Sequence, residues 1–163
     1  MDNKIGILME LPDGKKPGYY AQIIKALANQ ALLFDRDKEM LIVSNEQARS
    51  AVLEIMSQYK VTVETMVLWL LPDHTELTSL WDDYGFVSIA DNHYLYTKLV
   101  SSFQFKPDTP ASERHQAVLQ MDEHLLAFIP GNMKDVPRYI HDKQLEELMI
   151  GIATAYGCQI EYI

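Results

Sequence analysis

The amino-acid sequence predicts an α/β fold with three layers and a mainly parallel sheet of about five strands. Three continuous apolar runs lead to this prediction, at residues 40–43, 66–71 and 125–129, and each stops abruptly at small or polar residues. Strands covered on both faces lose the in/out alternation of a half-exposed sheet and become continuous hydrophobic runs. We therefore expect the three runs to be adjacent, buried, mostly parallel strands.

Segments with helical periodicity lie before and after these runs and predict the helices of the two outer layers. Apolar residues recur at spacings of three and four along residues 20–32, 48–59 and 145–156, which is the pattern of helices with one core-facing stripe. Pro17-Gly18 marks the start of the first helix. Gly157 ends the last helix because glycine tolerates the left-handed conformation that follows many helices. Alternation of strands and helices requires right-handed crossovers and favours a mainly parallel sheet.

Further elements complete the predicted order. We expect an opening strand over 4–10, a closing strand over 159–163 and a helix from Thr109 to Met121, with Pro110 in its first turn. The patterns between residues 75 and 112 are weaker: a short helix over 77–84 that ends at Gly85, a strand over 86–89 and a helix over 93–103.

Length, charge and cysteine content limit the class of protein. A chain of 163 residues suits one domain, 1–163, with a sizeable core. The 14 basic and 23 acidic residues give a net charge of -9, which opposes attraction to nucleic-acid phosphates and anionic lipid. Cys158 is the only cysteine, which excludes an internal disulfide and a multi-cysteine zinc site. We expect a cytoplasmic protein without a nucleic-acid or membrane partner, because no signal peptide or membrane-spanning segment can be drawn.

Polar residues at the ends of the three runs are the candidate ligand-binding residues. In open α/β sheets, ligands bind outside the carboxyl ends of the strands, where these residues would converge. Each has a structural alternative: Ser44 and Gln47 fit a capping box, and Glu46 suits the first turn of a helix. Asp73 and Gly131-Asn132 also suit turns. The candidates are Ser44, Asn45, Glu46, Asp73, His74, Gly131 and Asn132.

Several segments together resemble one protein family. The opening strand and the loop 11–19 precede a helix, and the strand 41–44 runs into a second helix. Leu70-Leu71-Pro72 and Phe105-Lys106 then come before the run 125–129. This order resembles the small YpsA-like members of the SLOG superfamily, Rossmann-like proteins related to the cytokinin-activating LOG phosphoribohydrolases and to DprA. The resemblance implies a three-layer Rossmann-like fold and a nucleotide-like ligand.

Two turns depart from the phosphate-binding pattern of that superfamily. The turn after the first run has no glycine, and the turn after the third run keeps only Pro130-Gly131 of a Pro-Gly-Gly-x-Gly-Thr pattern. A Cβ at each position keeps the main chain away from an anion, and Glu46 adds a negative charge where a phosphate would sit. We expect a ligand to meet the side chains of Asn45, Glu46 and Asn132, with nucleosides or neutral polar molecules preferred to ATP-like polyphosphates.

No motif of high specificity assigns an activity. The five histidines lack metal-ligand spacing, and Walker and Gly-x-Ser-x-Gly motifs do not occur, so neither a metal nor a cofactor is predicted. Acid and imidazole are adjacent at His141-Asp142, but neighbours in a strand point to opposite faces, so adjacency is no evidence of a dyad. The favoured function is a small-molecule-binding module for a nucleotide-like ligand. An N-glycosidic hydrolase of nucleosides or nucleotides, with Glu46 as the acid, is one alternative, and enzyme activity therefore stays open.

A catalytically inactive structural or interaction protein is the other alternative. Trp81 and the aromatic residues between Tyr84 and Phe103 lie in a segment with too little periodic structure to bury them all. Aromatic residues are enriched in the cores of interfaces. The sequence therefore predicts an exposed aromatic patch that forms a homodimer or binds a protein partner.

Overall fold

The computed structural model describes residues 1–11, 17–30, 32–133 and 135–163. The residues outside these ranges include part of the predicted loop 11–19, Ala31 in the first predicted helix, and Lys134. The strands and α-helices are, in chain order, β1 (Asp2–Glu10), α1 (Pro17–Asn29), β2 (Asp35–Asp37), β3 (Met40–Val43), α2 (Glu46–Gln58), β4 (Thr62–Leu70), β5 (Glu76–Leu77), β6 (Gly85–Val87), β7 (His93–Tyr96), β8 (Val100–Phe105), α3 (Ala111–Met121), β9 (Leu125–Ile129), β10 (Arg138–Asp142), α4 (Glu146–Ala155) and β11 (Ile160–Tyr162).

These elements divide into two compact units. Unit 1 comprises Met1–Leu71 and Val87–Tyr94, and unit 2 comprises Pro72–Phe86 and Leu95–Ile163. Each unit contains its own hydrophobic core of buried residues.

The first sheet has the strand order β2-β3-β1-β4-β7-β6, and its strands β1 to β4 lie wholly in unit 1. β1 pairs antiparallel with β3 on one side and with β4 on the other, and β2 pairs antiparallel with β3. Apolar residues of β1 and β3 pack with those of α1 and α2 to form the core, because alternate strand residues and one stripe of each helix face the same space. Ile7, Ile23 and Ile55 are among its buried members.

The sheet of unit 2 has the strand order β11-β8-β10-β9-β5. β10 pairs antiparallel with β8 and β9, β11 pairs antiparallel with β8, and β5 pairs antiparallel with β9. Its core combines the aromatic residues of β8 with apolar residues of α3 and α4. Phe103, Met121 and Met149 are fully buried there.

Both units repeat one connection of elements. Unit 1 runs β1-α1-β2-β3-α2-β4, and four of its neighbouring strands follow the order β2-β3-β1-β4. Unit 2 runs β8-α3-β9-β10-α4-β11, and the equivalent strands follow the order β9-β10-β8-β11. This is the βαββαβ, or ferredoxin-like, arrangement. The chain is therefore a tandem pair of ferredoxin-like units, a repeat that its amino-acid sequence does not show.

The predicted three-layer, mainly parallel Rossmann-like sheet is wrong. Each strand pair whose register is described runs antiparallel, in both sheets. The runs 40–43 and 66–71 are not adjacent, because β1 lies between β3 and β4, and the run 125–129 belongs to the other sheet. The resemblance to YpsA-like SLOG proteins, which implied the parallel sheet, is wrong for the same reason.

Two short strands explain the error in strand direction. β2 contains only Asp35, Arg36 and Asp37, and β10 reads Arg-Tyr-Ile-His-Asp, so neither forms an apolar run. Each is half of an antiparallel pair, with β3 or β9. Two strands joined by a helix run in the same direction, whereas two strands joined by a hairpin run in opposite directions. A strand that is missed in the sequence therefore reverses the predicted direction of each strand that follows it.

The positions of most elements are nevertheless confirmed. The runs 40–43 and 125–129 coincide with β3 and β9, and residues 66–70 lie in β4, although the burial predicted for this run is wrong, since Val67 is 47% exposed. The helices predicted over 20–32, 48–59, 109–121 and 145–156 correspond to α1, α2, α3 and α4. The middle segment was predicted poorly. Residues 93–103 form β7 and part of β8 instead of a helix, and the helix expected over 77–84 is reduced to a single 3-10 turn at Trp81–Asp83.

The predicted exposed aromatic patch is contradicted for its central residues. Tyr94 and Phe103 have no exposed surface. Phe86 packs against Tyr96, with ring centroids 5.6 Å apart. The interaction-protein alternative therefore loses the observation that favoured it, because strands bury aromatic side chains that a helical or irregular segment would have exposed.

Gly157 provides a test of local backbone conformation. Its φ is +69°, as predicted for the residue after the last helix, whereas Gly151 lies inside α4 with open space around its Cα. We expect Gly157→Ala to lower the free energy of unfolding by about 1 kcal/mol, because a Cβ is strained in this region. Gly151→Ala should raise it by about 0.5–1 kcal/mol through higher helix propensity. Urea denaturation of the two variants measures both changes, and equal changes in the two would contradict the assignment.

Candidate functional site

A cavity lies where β3 passes into α2 in unit 1. Its volume is about 350 Å³. One wall is apolar and comes from the segment before β2, and the other is polar and comes from the β3–α2 turn. We call it the β3–α2 cavity; it is lined by Leu32, Leu33, Phe34, Ser44, Asn45, Gln47 and Ala48.

Asn45 shapes the polar wall by capping α2. Its backbone is extended, and its Oδ1 accepts a hydrogen bond from the Ala48 N–H at 2.9 Å. This satisfies one of the N–H groups that a helix leaves without an intrahelical acceptor. The capping box predicted for Ser44 and Gln47 is therefore wrong by one residue, and the side chains of Ser44 and Gln47 are left to line the cavity.

Lys4 supports the same wall from the neighbouring strand. Ile5 pairs with Val43, which brings Lys4 opposite Ser44, and Lys4 Nζ donates to Ser44 Oγ at 3.1 Å. The ammonium also pairs with Asp2 at 2.8 Å and lies 4.0 Å from the centroid of the Phe34 ring. Only 6% of Lys4 is exposed, so these contacts replace much of the hydration of its charge. The sequence analysis missed Lys4, because a single lysine in an apolar strand has no distinguishing pattern.

Glu46 is turned away from this cavity. Its carboxylate pairs with Arg49 at 2.9 Å on the surface of α2, and 73% of the Glu46 side chain is exposed. Such an exposed pair contributes little to stability. A general acid for glycosidic cleavage works best in a site shielded from water. The geometry thus gives no support to the hydrolase alternative that named Glu46 as its acid.

The other four predicted residues lie in unit 2. Asp73 and His74 are exposed in a turn closed by the Thr75 N–H, which donates to the Pro72 carbonyl at 3.0 Å. Gly131 and Asn132 are exposed in the β9–β10 connection, where Asn132 Oδ1 accepts from the Asp135 N–H at 3.0 Å. Both sets therefore form turns, the structural role weighed for them. A ligand role for these four residues stays a prediction.

A buried carboxylate in unit 1 was also missed. Asp35 accepts hydrogen bonds from the Arg36 N–H (2.7 Å), Asn92 Nδ2 (2.8 Å), Tyr94 OH (2.9 Å) and the Ser88 hydroxyl. Burial raises the pKa of the Asp35 carboxyl, but the four hydrogen bonds outweigh burial and hold that pKa below its usual value. The Ile89 N–H also donates to the Arg36 carbonyl at 3.0 Å, so the two edges of the sheet meet here.

A buried histidine lies on β10 of unit 2. His141 has no exposed surface, and its Nδ1 donates to the Asp142 carbonyl at 2.7 Å, while its Nε2 lies 3.1 Å from the Tyr162 hydroxyl. Burial lowers the pKa of His141, so the ring is neutral at pH 7. The Asp142 carboxylate points elsewhere and accepts from the Tyr84 hydroxyl at 2.7 Å. The His141 ring therefore contacts the Asp142 carbonyl and not the Asp142 carboxylate.

Two other features bear on the chemistry of the chain. Cys158 is buried, and burial raises the pKa of its thiol, which disfavours a reactive thiolate. Within the described ranges, no three His, Cys, Asp or Glu side chains are grouped closely enough to hold a metal ion, and no helix has the length and apolar character needed to cross a membrane.

Comparisons with known proteins add little to this picture. No protein-family model matches the chain, and no curated protein matches it. One solved structure with some similarity is a provisionally assigned glycine cleavage system transcriptional repressor. The match covers 99% of this chain and 94% of that chain, with 11% sequence identity and a TM-score of 0.26. These values are too low to assign a fold or a function, so both rest on the structure itself.

Proposed function

We propose that this protein binds a small neutral polar molecule in the β3–α2 cavity of unit 1, without catalysis. The observation that supports the proposal is the composition of the two walls. Three apolar side chains face hydroxyl and amide groups across a space of about 350 Å³. Ligand sites commonly combine an apolar surface with a few polar groups that fix orientation.

The charges around the cavity favour an uncharged ligand. The Lys4 ammonium is already paired with Asp2, and the cavity lining contributes no other cationic side chain. A polyanion would therefore meet no unpaired positive charge there, in a chain whose net charge is -9. The remaining polar groups of the lining, Ser44 Oγ and the Gln47 amide, suit the hydroxyls and ring nitrogens of a nucleoside. Phe34 offers its ring for stacking.

Adenosine and ATP are therefore the two probes of this proposal. Titration of the full chain, followed by amide chemical shifts, should show adenosine perturbing Phe34, Ser44 and Gln47, with ATP binding more weakly. Gln47→Ala should weaken adenosine binding about fivefold, the value of one lost neutral hydrogen bond. Gln58→Ala, an exposed glutamine at the other end of α2, is the matched control and should have no effect.

Several outcomes would overturn the proposal. Perturbations confined to other residues would place adenosine elsewhere, and equal effects of Gln47→Ala and Gln58→Ala would show that the cavity lining does not contact it. ATP affinity above that of adenosine would contradict the electrostatic argument, since the extra negative charges would then be favourable. No perturbation by adenosine at millimolar concentration would remove nucleosides as the ligand class.

A further inference from the structure

We infer that Lys4 is a positioning residue of the β3–α2 cavity, which it adapts to an aromatic heterocycle with a hydrogen-bond acceptor on its ring edge. The inference rests on the function proposed above and narrows its ligand class. Lys4 is not part of the cavity lining, but its ammonium contacts one lining residue on each wall: Ser44 on the polar wall and Phe34 on the apolar wall.

The first step concerns the protons of the Lys4 ammonium. An ammonium has three N–H donors and no acceptor. Lys4 Nζ pairs with the Asp2 carboxylate at 2.8 Å, donates to Ser44 Oγ at 3.1 Å and lies 4.0 Å from the centroid of the Phe34 ring. These three contacts occupy the three donors of a side chain that is almost wholly buried. Lys4 therefore affects a ligand through Ser44 and Phe34 and not by direct contact.

The second step concerns the polarity of the Ser44 hydroxyl. Since the ammonium cannot accept a hydrogen bond, the Ser44 O–H points away from Lys4, and no atom of the described residues accepts from it. The charged donor occupies one lone pair of Ser44 Oγ and polarises the hydroxyl, which makes the O–H a stronger donor and Oγ a weaker acceptor. Ser44 thus presents mainly a hydrogen-bond donor to the cavity.

The third step concerns the Phe34 ring. The Phe34 N–H donates to the Ile42 carbonyl at 2.8 Å, so its backbone is fixed to β3, and the ammonium lies over one face of the ring. The residue is 45% exposed, which leaves aromatic surface for stacking. Because Ser44 Oγ and the ring centroid both lie within 4.0 Å of Lys4 Nζ, a ring stacked on Phe34 has its edge near the Ser44 hydroxyl.

These steps define the ligand class. The edge that meets Ser44 should carry an acceptor, such as a ring nitrogen, and not a donor. Gln47 does not make this distinction, because its amide both donates and accepts. Selection for an acceptor therefore depends on Ser44, and through Ser44 on Lys4.

Adenosine and its 1-, 3- and 7-deaza analogues test the inference in the full-length chain. Each analogue replaces one ring nitrogen by C–H and keeps the stacking surface. The nitrogen that meets Ser44 should be revealed by one analogue that binds the parent about tenfold more weakly than adenosine. In Lys4→Met this ratio of affinities should fall to about threefold or less, because the hydroxyl is no longer polarised, and in Ser44→Ala it should approach one.

The ratio separates positioning from a structural role. A variant that only loosens the cavity weakens adenosine and its analogues alike and leaves the ratio unchanged. Lys4→Met keeps the apolar stem of a buried side chain and removes its charge, so it should retain the parent's dispersed amide spectrum. Lys4→Gln is the second variant and should also lower the ratio, since a neutral amide polarises Ser44 less. Lys25→Met, at an exposed lysine on α1, is the matched control and should keep the parent ratio.

The outcomes distinguish this inference from the proposed function. Adenosine binding at Phe34, Ser44 and Gln47 with the parent ratio retained in the Lys4 variants would overturn the inference alone. Equal affinities of adenosine and all three analogues for the parent would do the same, because Ser44 would then donate to no ring nitrogen. Absence of adenosine binding to the parent would overturn the proposed function, and the role of Lys4 with it.

Discussion

Replacement of Asp35 by alanine is expected to lower the free energy of unfolding by about 3 kcal/mol. The substitution removes the acceptor of four hydrogen bonds and leaves the buried hydroxyls of Ser88 and Tyr94 without it. A buried donor that has lost its acceptor has no hydrogen bond to compensate for its removal from water, so the folded state bears the full free-energy cost of desolvation. The effect should be large because β2 has only three residues to hold it against β3.

Urea denaturation measures this change, with Asp37→Ala as the control. Asp37 lies on the same strand, two residues away, and is only partly buried. Its substitution should change stability by less than about 0.5 kcal/mol. Equal losses for the two variants would contradict the role assigned to Asp35, because they would reflect the strand and not the hydrogen-bond network.

The same carboxylate makes the stability of the protein depend on pH. The folded-state pKa of Asp35 lies below 3.8, the usual value that the unfolded chain keeps, so between these two pKa values the unfolded chain binds the proton more readily. The contribution of Asp35 is therefore complete above about pH 4 and is lost as the pH falls through the folded-state value. The difference in stability between the parent and Asp35→Asn should shrink on acidification, and a constant difference from pH 7 to pH 2.5 would contradict the assigned ionisation.

Phe103→Ala is expected to cost about 3–5 kcal/mol, the largest effect predicted in unit 2. The Phe103 ring has no exposed surface and contacts four other rings, with centroid distances of 5.3 Å to Tyr139, 5.6 Å to His141, 5.8 Å to Phe105 and 6.2 Å to Tyr162. Removal of the ring loses its transfer free energy and leaves a cavity that the rigid neighbours cannot fill.

Leu119→Ala is the matched control for this substitution. Leu119 lies on α3 of the same unit and is 58% exposed, so its truncation should cost less than about 0.5 kcal/mol. The loss in the free energy of unfolding for Phe103→Leu should fall between the losses for Phe103→Ala and Leu119→Ala, because leucine keeps part of the buried volume. A loss below about 1 kcal/mol for Phe103→Ala would mean that the aromatic cluster is not the centre of this core.

The two large variants together test the predicted single domain, 1–163. Asp35 belongs to unit 1 and Phe103 to unit 2. If the chain unfolds as one cooperative domain, both substitutions should shift the same transition, followed by tyrosine fluorescence and by far-ultraviolet circular dichroism. Two transitions, each moved by only one of the variants, would contradict the single-domain prediction.

The candidate site was predictable only in part. Ser44 and Asn45 were found because polar residues after an apolar strand mark the start of a helix, and this local pattern does not depend on strand direction. Lys4 comes to the same place through strand pairing with residues about 40 positions away in the chain, as the Lys4–Ser44 hydrogen bond shows. Phe34 comes there through a nearer contact, in which its N–H donates to the Ile42 carbonyl at 2.8 Å. The strand β10, which holds the buried His141, was not found because it carries Arg138, His141 and Asp142 and has no apolar run.

What the sequence determined by itself is local: where most helices and strands lie, and the left-handed turn at Gly157. These follow from side-chain periodicity and backbone sterics, which act over a few residues. Strand direction was decided only by the tertiary structure. β2 is short and charged, and the carboxylate of its Asp35 accepts hydrogen bonds from Ser88, Asn92 and Tyr94, which lie 53 to 59 residues after Asp35 in the chain. A strand without an apolar run, whose one buried carboxylate is held by such distant side chains, carries no local signal, and the antiparallel direction of the strands in unit 1 depends on it.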